Sequence, residues 1–187
     1  ESSGLGNLLQ SQSFDTFELK YYTDANALQC AKTVLDASRE VKSKTPPLPH
    51  CLSSLQKEAS AVLGMSAKQV LDMAQKLYEK KLTTYPRTDC RYLPAEQFDE
   101  ALNILVELSA VEGLEKAAAS ADSSIKSAAW NTKKVTAHHG IIPTGVPPKD
   151  LGKGELALYQ LIALNYVLQF HQNLKYESQK LVLAFGD

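Results

Sequence analysis

Covalent and metal staples are scarce in this sequence. Its three cysteines, Cys30, Cys51 and Cys90, are odd in number, widely spaced and free of any Cys-x-x-Cys or Cys/His pattern. That excludes a disulfide framework and a zinc module of the usual spacings, and the cysteines read as free thiols of a reducing compartment. No apolar run is long enough to cross a bilayer, and the N-terminus has no basic-then-apolar leader. The expectation is a cytoplasmic protein with no membrane partner. An initiator methionine is also missing, as expected of an internal segment of a longer chain. Net charge is scarce as well, since 20 Lys and Arg against 21 Asp and Glu leave −1. This excludes a general electrostatic pull toward nucleic acid and leaves room only for a local basic patch. No internal repeat and no Asp-x-Asp cluster occur.

What is present is ordinary for a globular protein: 187 residues, 44% hydrophobic and 22% charged, enough for one large or two small domains. Residues 1–13 are rich in Ser, Gly and Gln and read as linker. Residues 14–22 and 34–41 read as strands, with a short helix from Asn26 to Cys30 between them. The Thr45-Pro46-Pro47-Leu48-Pro49 run fits neither a helix interior nor a central strand and marks a boundary. Beyond it the pattern turns helical. Ser53 opens a helix with apolar positions Leu55, Ala59, Val62 and Leu63, which Gly64 stops. Ser66 and Gln69 make a capping box for a second helix facing inward with Val70, Met73, Ala74 and Leu77. Pro94 suits the first position of a third, with Phe98, Leu102, Leu105 and Val106 as its apolar residues. Residues 117–129 read as surface helix or loop. Residues 155–171 form a strong helix on Leu158, Ile162, Tyr166 and Phe170, and residues 176–185 alternate as a strand. The expected class is α+β: a linker and β segment over 1–44, a helix-turn-helix-like helical domain over 45–172, and a return strand over 173–187.

The chemically richest stretch runs Leu82-Thr83-Thr84-Tyr85-Pro86-Arg87-Thr88-Asp89-Cys90-Arg91-Tyr92-Leu93-Pro94. Pro86 pushes Tyr85 toward extended backbone, where side chains two apart share a face. Tyr85, Arg87 and Asp89 then point one way: a phenol nucleophile, a cation and an orienting carboxylate, suited to attack on a phosphodiester. A turn capped by Thr88 and Asp89 is the plainer reading of the same residues.

The run closely resembles the active-site tyrosine segment of type IA DNA topoisomerases, most closely the topoisomerase III branch. Two further segments match in order: Pro46-Pro47-Leu48-Pro49-His50-Cys51-Leu52-Ser53-Ser54-Leu55-Gln56, and Val135-Thr136-Ala137-His138-His139-Gly140-Ile141-Ile142-Pro143-Thr144. Together they cover roughly residues 34–187. The resemblance implies that the helical tyrosine domain is inserted into an all-β hinge domain, and that Tyr85 forms a transient bond to the 5′ phosphate of a cut strand. A free phenol ionises near about pH 10, so an adjacent guanidinium is needed to favour the phenolate. Arg87 is the candidate, and it would also contact phosphate oxygens. The resemblance gives His138 a part in DNA binding and proton movement. Where relatives of the topoisomerase I branch carry Glu and Arg, this chain has His139 and Ile142, which favours the topoisomerase III branch.

Further DNA-binding candidates each have a structural alternative. Ser53, Ser54 and Gln56 open a helix, a place for an anion or for simple capping. Asp89 orients Arg87 or caps a turn, Arg91 takes phosphate, and Thr144 takes phosphate or caps a loop. Lys133 and Lys134 follow Trp130 as a basic-aromatic patch for single-stranded DNA, or as a solvated charge pair beside a packed ring. Family members bind magnesium through a separate toprim domain whose acidic cluster has no match here. The resemblance therefore implies no metal site in this chain and no cleavage without the missing toprim and fourth domains. The surface those domains cover is a candidate for non-native pairing of two copies. A non-catalytic helix-turn-helix DNA-binding module is the alternative function.

Overall fold

The computed structural model describes the backbone of residues 33–184, and the side chains from Ser38 to Lys180. The linker, strand and helix expected before residue 33 lie outside the described residues. The chain divides into two compact units, one of which contains Pro46–Gln172 and the other the strands that flank it in sequence.

The flanking strands are β1 (Thr33–Lys44) and β2 (Leu174–Ala184). They pair antiparallel, Lys44 opposite Leu174 and Ser38 opposite Lys180, with an irregularity between Val34 and Asp36. A cross-strand contact of 3.5 Å joins Arg39 to Glu177. Val41 is 74% exposed and Tyr176 43% exposed, so this stretch of ribbon buries little of its own apolar surface.

The helical unit begins with α1 (Leu52–Leu63). Its opening differs by one residue from the expectation at Ser53, because Cys51 holds the capping position and Ser54 Oγ accepts its backbone N–H at 3.0 Å. Gly64, at φ 66°, ends the helix in the left-handed region that glycine enters without penalty. The second helix, α2 (Ala67–Glu79), has the expected capping box: Gln69 N–H donates to Ser66 Oγ at 3.3 Å and Ser66 N–H to Gln69 Oε1 at 2.9 Å. Val70, Ala74 and Leu77 are its fully buried face.

The third helix departs from the sequence reading. Pro94 caps a six-residue 3₁₀ turn, Ala95–Glu100, which runs into α3 (Ala101–Leu108). Three residues per turn advance the apolar face faster than an α-helix does, so Ala101, Ile104, Leu105 and Leu108 point inward. Leu102 and Val106, expected inside, are 58% and 59% exposed. A short α4 (Glu115–Ala119) occupies the start of the ambiguous Ala/Ser stretch.

The last helix, α5 (Lys153–Val167), continues as a 3₁₀ turn through Phe170. Leu158, Ile162, Tyr166 and Phe170 are fully buried as expected, and Tyr159, Leu161, Ala163 and Val167 are buried as well. The helix is thus enclosed on several sides and organises the core. α2 packs on α5 at Gly154, where a Cβ would meet only the movable end of Met73, Cε at 3.1 Å. Phe98, Trp130, Tyr166 and Phe170 pack with ring centroids 5.1 to 6.2 Å apart. Burying each such ring contributes roughly 1.5–3 kcal/mol.

Candidate active site

Helix α2 leads directly into the tyrosine segment. Leu82 N–H bonds back to the Leu77 carbonyl at 2.9 Å and Lys81 N–H to that of Tyr78 at 2.8 Å, the paired bonds of a Schellman end. From Leu82 the chain is extended and pairs with the histidine segment. Thr83 bridges to Pro143, Thr84 N–H donates to the Ile142 carbonyl at 2.9 Å, and Thr144 N–H donates to that of Leu82 at 3.1 Å. Thr84 Oγ1 completes the join by donating to the Gly140 carbonyl and accepting from Ile142 N–H, both at 3.0 Å. Thr88 Oγ1 donates to the His138 carbonyl at 3.2 Å.

The Pro-rich segment closes the other side. Leu52 N–H donates to the Thr88 carbonyl at 3.0 Å, Ile141 N–H to that of His50 at 2.7 Å, and Gly140 N–H to that of Tyr92 at 3.0 Å. Three backbone segments therefore meet at Gly140, where a Cβ would stand 3.2 Å from Pro49 Cβ and 3.4 Å from the Arg91 carbonyl carbon. Only glycine fits so close an approach without displacement.

Side chains alternate along the tyrosine segment as an extended chain requires. Pro86, Thr88 and Cys90 are buried, Arg87 and Asp89 are exposed, and Tyr85 is half-buried. The Tyr85 ring sits between two others. His138 lies against it at 4.5 Å between centroids, tilted by 46°, and Tyr78 meets it edge-on at 5.5 Å. Arg87 makes no hydrogen bond or ion pair among the described residues and points to solvent. A phenol, an imidazole and an uncommitted guanidinium thus share one face, a set that can attack a phosphodiester, carry a proton and neutralise phosphoryl oxygens.

The remaining candidates are placed more variously. Asp89 accepts from Thr136 Oγ1 at 3.3 Å rather than pairing with Arg87. Arg91 turns inward, its Nε donating to the Pro49 carbonyl at 2.8 Å and its Nη2 to that of Leu48 at 2.7 Å, so it fastens the tyrosine segment to the Pro-rich segment. Ser54 Oγ is engaged by Cys51 and by His50 Nδ1 at 3.2 Å, and Ser53 Oγ lies 3.3 Å from the Cys51 thiol. Gln56 donates to the Ala67 carbonyl at 3.0 Å, which ties α1 to α2. Thr144 Oγ1 donates to the Lys81 carbonyl and holds the helix end to the histidine segment. Lys133 is exposed, and Lys134 lies 4.7 Å above the Tyr92 ring with its ammonium 3.3 Å from the hydroxyl. His139 is turned into the fold, Nδ1 donating to the Gly140 carbonyl at 2.8 Å.

Beneath this surface lies a polar contact that the sequence reading did not single out. His50 is 1% exposed, and burial, helped by the Arg91 charge, lowers its pKa to about 4. It is neutral at physiological pH, with Nδ1–H donating to Ser54 and Nε2 accepting from Asn165 Nδ2 at 2.9 Å. The 3.5 Å approach of Glu58 to Nε2 is therefore not an ion pair, and burial raises the Glu58 pKa. Gln169 donates to the Pro47 carbonyl at 2.6 Å. Only the three-dimensional register of α5 could have shown these contacts.

Among the described residues there is no group of three or more His, Cys, Asp or Glu side chains that could hold a metal ion. No helix among them is long and apolar enough to cross a membrane.

Residues 9–187 match a family model described as DNA topoisomerase. DNA topoisomerase 3 of Vibrio cholerae is 44% identical over 156 residues, spanning 80% of this chain and 24% of that protein. The enzyme of the same name from Haemophilus influenzae is 44% identical over 149 residues, or 78% of this chain and 23% of that one. Full-length topoisomerase I from Thermotoga maritima superposes with a TM-score of 0.57 at 26% identity, over 91% of this chain and 29% of that structure. The chain thus spans about a quarter of the length of these relatives. With a tyrosine–histidine pair set in backbone of this form, and a match along nearly its whole length, the chain belongs to the type IA DNA topoisomerase family and is topoisomerase III-like.

Proposed function

We propose that this chain supplies the nucleophile of an enzyme that cuts and reseals one strand of DNA, relaxing or decatenating it. The observation that carries the reading is the Tyr85 ring packed at 4.5 Å on His138, with exposed Arg87 two residues on. Tyr85 Oη attacks the phosphorus, a phosphotyrosine bond forms to the 5′ side, and the bond from phosphorus to the 3′ oxygen breaks. The phenolic proton leaves as the new bond forms, and the departing 3′ oxygen takes one up. His138, whose ring lies against that of Tyr85, holds a proton at this step on this reading. Arg87 offsets charge on the non-bridging oxygens. The phosphodiester energy is kept in the covalent link, so attack by the 3′ hydroxyl on the phosphotyrosine restores strand and phenol.

Magnesium, expected of the family, would be held by a separate toprim domain, and the steps above use only residues of this chain. On this reading the chain does not cleave alone, the helical unit is inserted between strands of an all-β hinge domain, and the enzyme acts on single-stranded DNA in the cytoplasm.

The test is covalent trapping. The complete enzyme, and this chain mixed with a separate toprim domain, are incubated with magnesium and labelled single-stranded DNA and then denatured. Label on the protein that vanishes in Tyr85→Phe supports the reading. DNA binding with no label on the complete enzyme sinks it in favour of a non-catalytic module.

A further inference from the structure

The C-terminal turn of α2 carries two features that the cleavage chemistry leaves unused. Tyr78 is 40% exposed, and its ring stands edge-on to the Tyr85 ring at 5.5 Å. Its hydroxyl makes no hydrogen bond among the described residues. An aromatic side chain so exposed, touching a nucleophile, presents an open flank where substrate must lie.

The second feature is backbone strain. Lys81 has φ 60°, the left-handed region, at the position of the Schellman end that glycine usually fills. An L side chain there is strained, because its Cβ crowds the following carbonyl oxygen. Glycine would make the same two backbone bonds without strain, so the outlier points to work done by the lysine side chain itself. The other lysines of the turn are committed, Lys76 and Lys80 reaching Glu155 at 3.9 and 3.1 Å. Lys81 makes no ion pair or side-chain hydrogen bond among the described residues and is exposed.

An open aromatic ring and an uncommitted cation on one turn are the pair that holds single-stranded nucleic acid, the ring stacking a base and the cation meeting a phosphate. We infer that the α2 C-terminal turn is a DNA contact, in which Tyr78 stacks a base beside the scissile phosphate and Lys81 pairs with a phosphate of the same strand. The inference rests on the topoisomerase reading and names residues for its substrate path.

The test is binding of a short fluorescent single-stranded oligonucleotide to this chain, followed by anisotropy across a salt series. Tyr78→Leu weakens binding about tenfold and Tyr78→Phe does not, because a stacked base is worth about 1–3 kcal/mol. Lys81→Gly makes the slope of log affinity against log salt shallower by about 0.7, the share of one phosphate contact on a single strand. Its melting temperature holds or rises as the strain is relieved, and Lys81→Arg restores the slope. A purely structural lysine would move stability and leave the slope alone. An unchanged slope in Lys81→Gly, unchanged affinity in a folded Tyr78→Leu, or no binding by the unaltered chain each overturns the inference. Adduct formation through Tyr85 in the complete enzyme is read separately, so its loss removes the topoisomerase reading, whereas unchanged binding here removes only the α2 contact.

Discussion

The Tyr85 and His138 rings lie 4.5 Å apart because Thr84 and Thr88, on either side of Tyr85, bond the backbone of the segment that carries His138. Packing and chemistry are separable at this pair. His138→Phe keeps a ring against Tyr85 but cannot carry a proton, whereas His138→Ala loses both. In the complete enzyme both variants should lower the adduct-forming rate by about 10²-fold, the usual worth of a positioned acid–base group. His138→Phe should melt near the unaltered protein. A His138→Phe variant that forms adduct at the full rate would show that the ring serves only to support Tyr85.

Thr84 is the hinge pin of this arrangement. Its hydroxyl both donates to the Gly140 carbonyl and accepts from Ile142 N–H. Thr84→Val keeps the shape, removes both bonds and leaves the Ile142 N–H without that partner, a loss of about 1–3 kcal/mol. In a chain of this size that lowers the melting temperature by roughly 2–4 °C per kcal/mol. Adduct yield should fall with it, since the histidine segment is then fastened to the tyrosine segment less firmly. Thermal melting and trapping on one preparation check both effects, and a melting temperature equal to that of the unaltered protein would contradict the role given to Thr84.

Why some of this was legible in the sequence and some was not follows from the range of the interactions. The capping box at Ser66 and Gln69, the stop at Gly64 and the alternation of Tyr85, Arg87 and Asp89 depend on neighbours a few residues away, and the sequence carries them openly. The phase of α3 was misread because nothing local announces that residues 95–100 wind as a 3₁₀ turn. Arg91, Gln56 and Thr144 offer polar groups that a sequence can assign to DNA. Their acceptors, the carbonyls of Pro49, Ala67 and Lys81, come close only once the segments fold. Tyr78 gave no signal, because its meaning depends on which way α2 points its last turn.

Acid should loosen the site through His50. Its pKa in the fold is about 4, below the value near 6.5 of an unfolded histidine. Between those values the unfolded chain binds a proton that the folded chain refuses, so stability is full above pH 6.5 and falls as the pH drops toward 4. The loss across the whole window is on the order of 3 kcal/mol. Glu58, whose pKa burial raises, works in the opposite sense from its unfolded value upward, so the His50 share between pH 7 and 5 is read by difference against a variant that lacks the imidazole. Urea midpoints at those two values should differ in the unaltered chain and converge in His50→Gln, which does not titrate. Parallel midpoints in the two proteins would remove His50 as the cause.

Gly140 is where the Pro-rich, tyrosine and histidine segments cross, and its backbone is not in the left-handed region, so the demand for glycine there is one of space alone. In Gly140→Ala the new methyl would sit 3.2 Å from Pro49 Cβ and 3.4 Å from the Arg91 carbonyl carbon. Neither is the far end of a flexible side chain. Pro49 is held by a rigid ring, and its carbonyl accepts from Arg91 Nε. Relief must therefore come from moving backbone, at a cost of about 1–3 kcal/mol. The segment that gives way carries either the Arg91 bonds or His138, so the displacement reaches the Tyr85 face whichever side yields. Loss of adduct should exceed what the drop in melting temperature explains, because trapping at a temperature where the variant is fully folded still reads the shifted geometry. A folded Gly140→Ala enzyme with full adduct yield would show that the crossing stabilises the fold without positioning Tyr85.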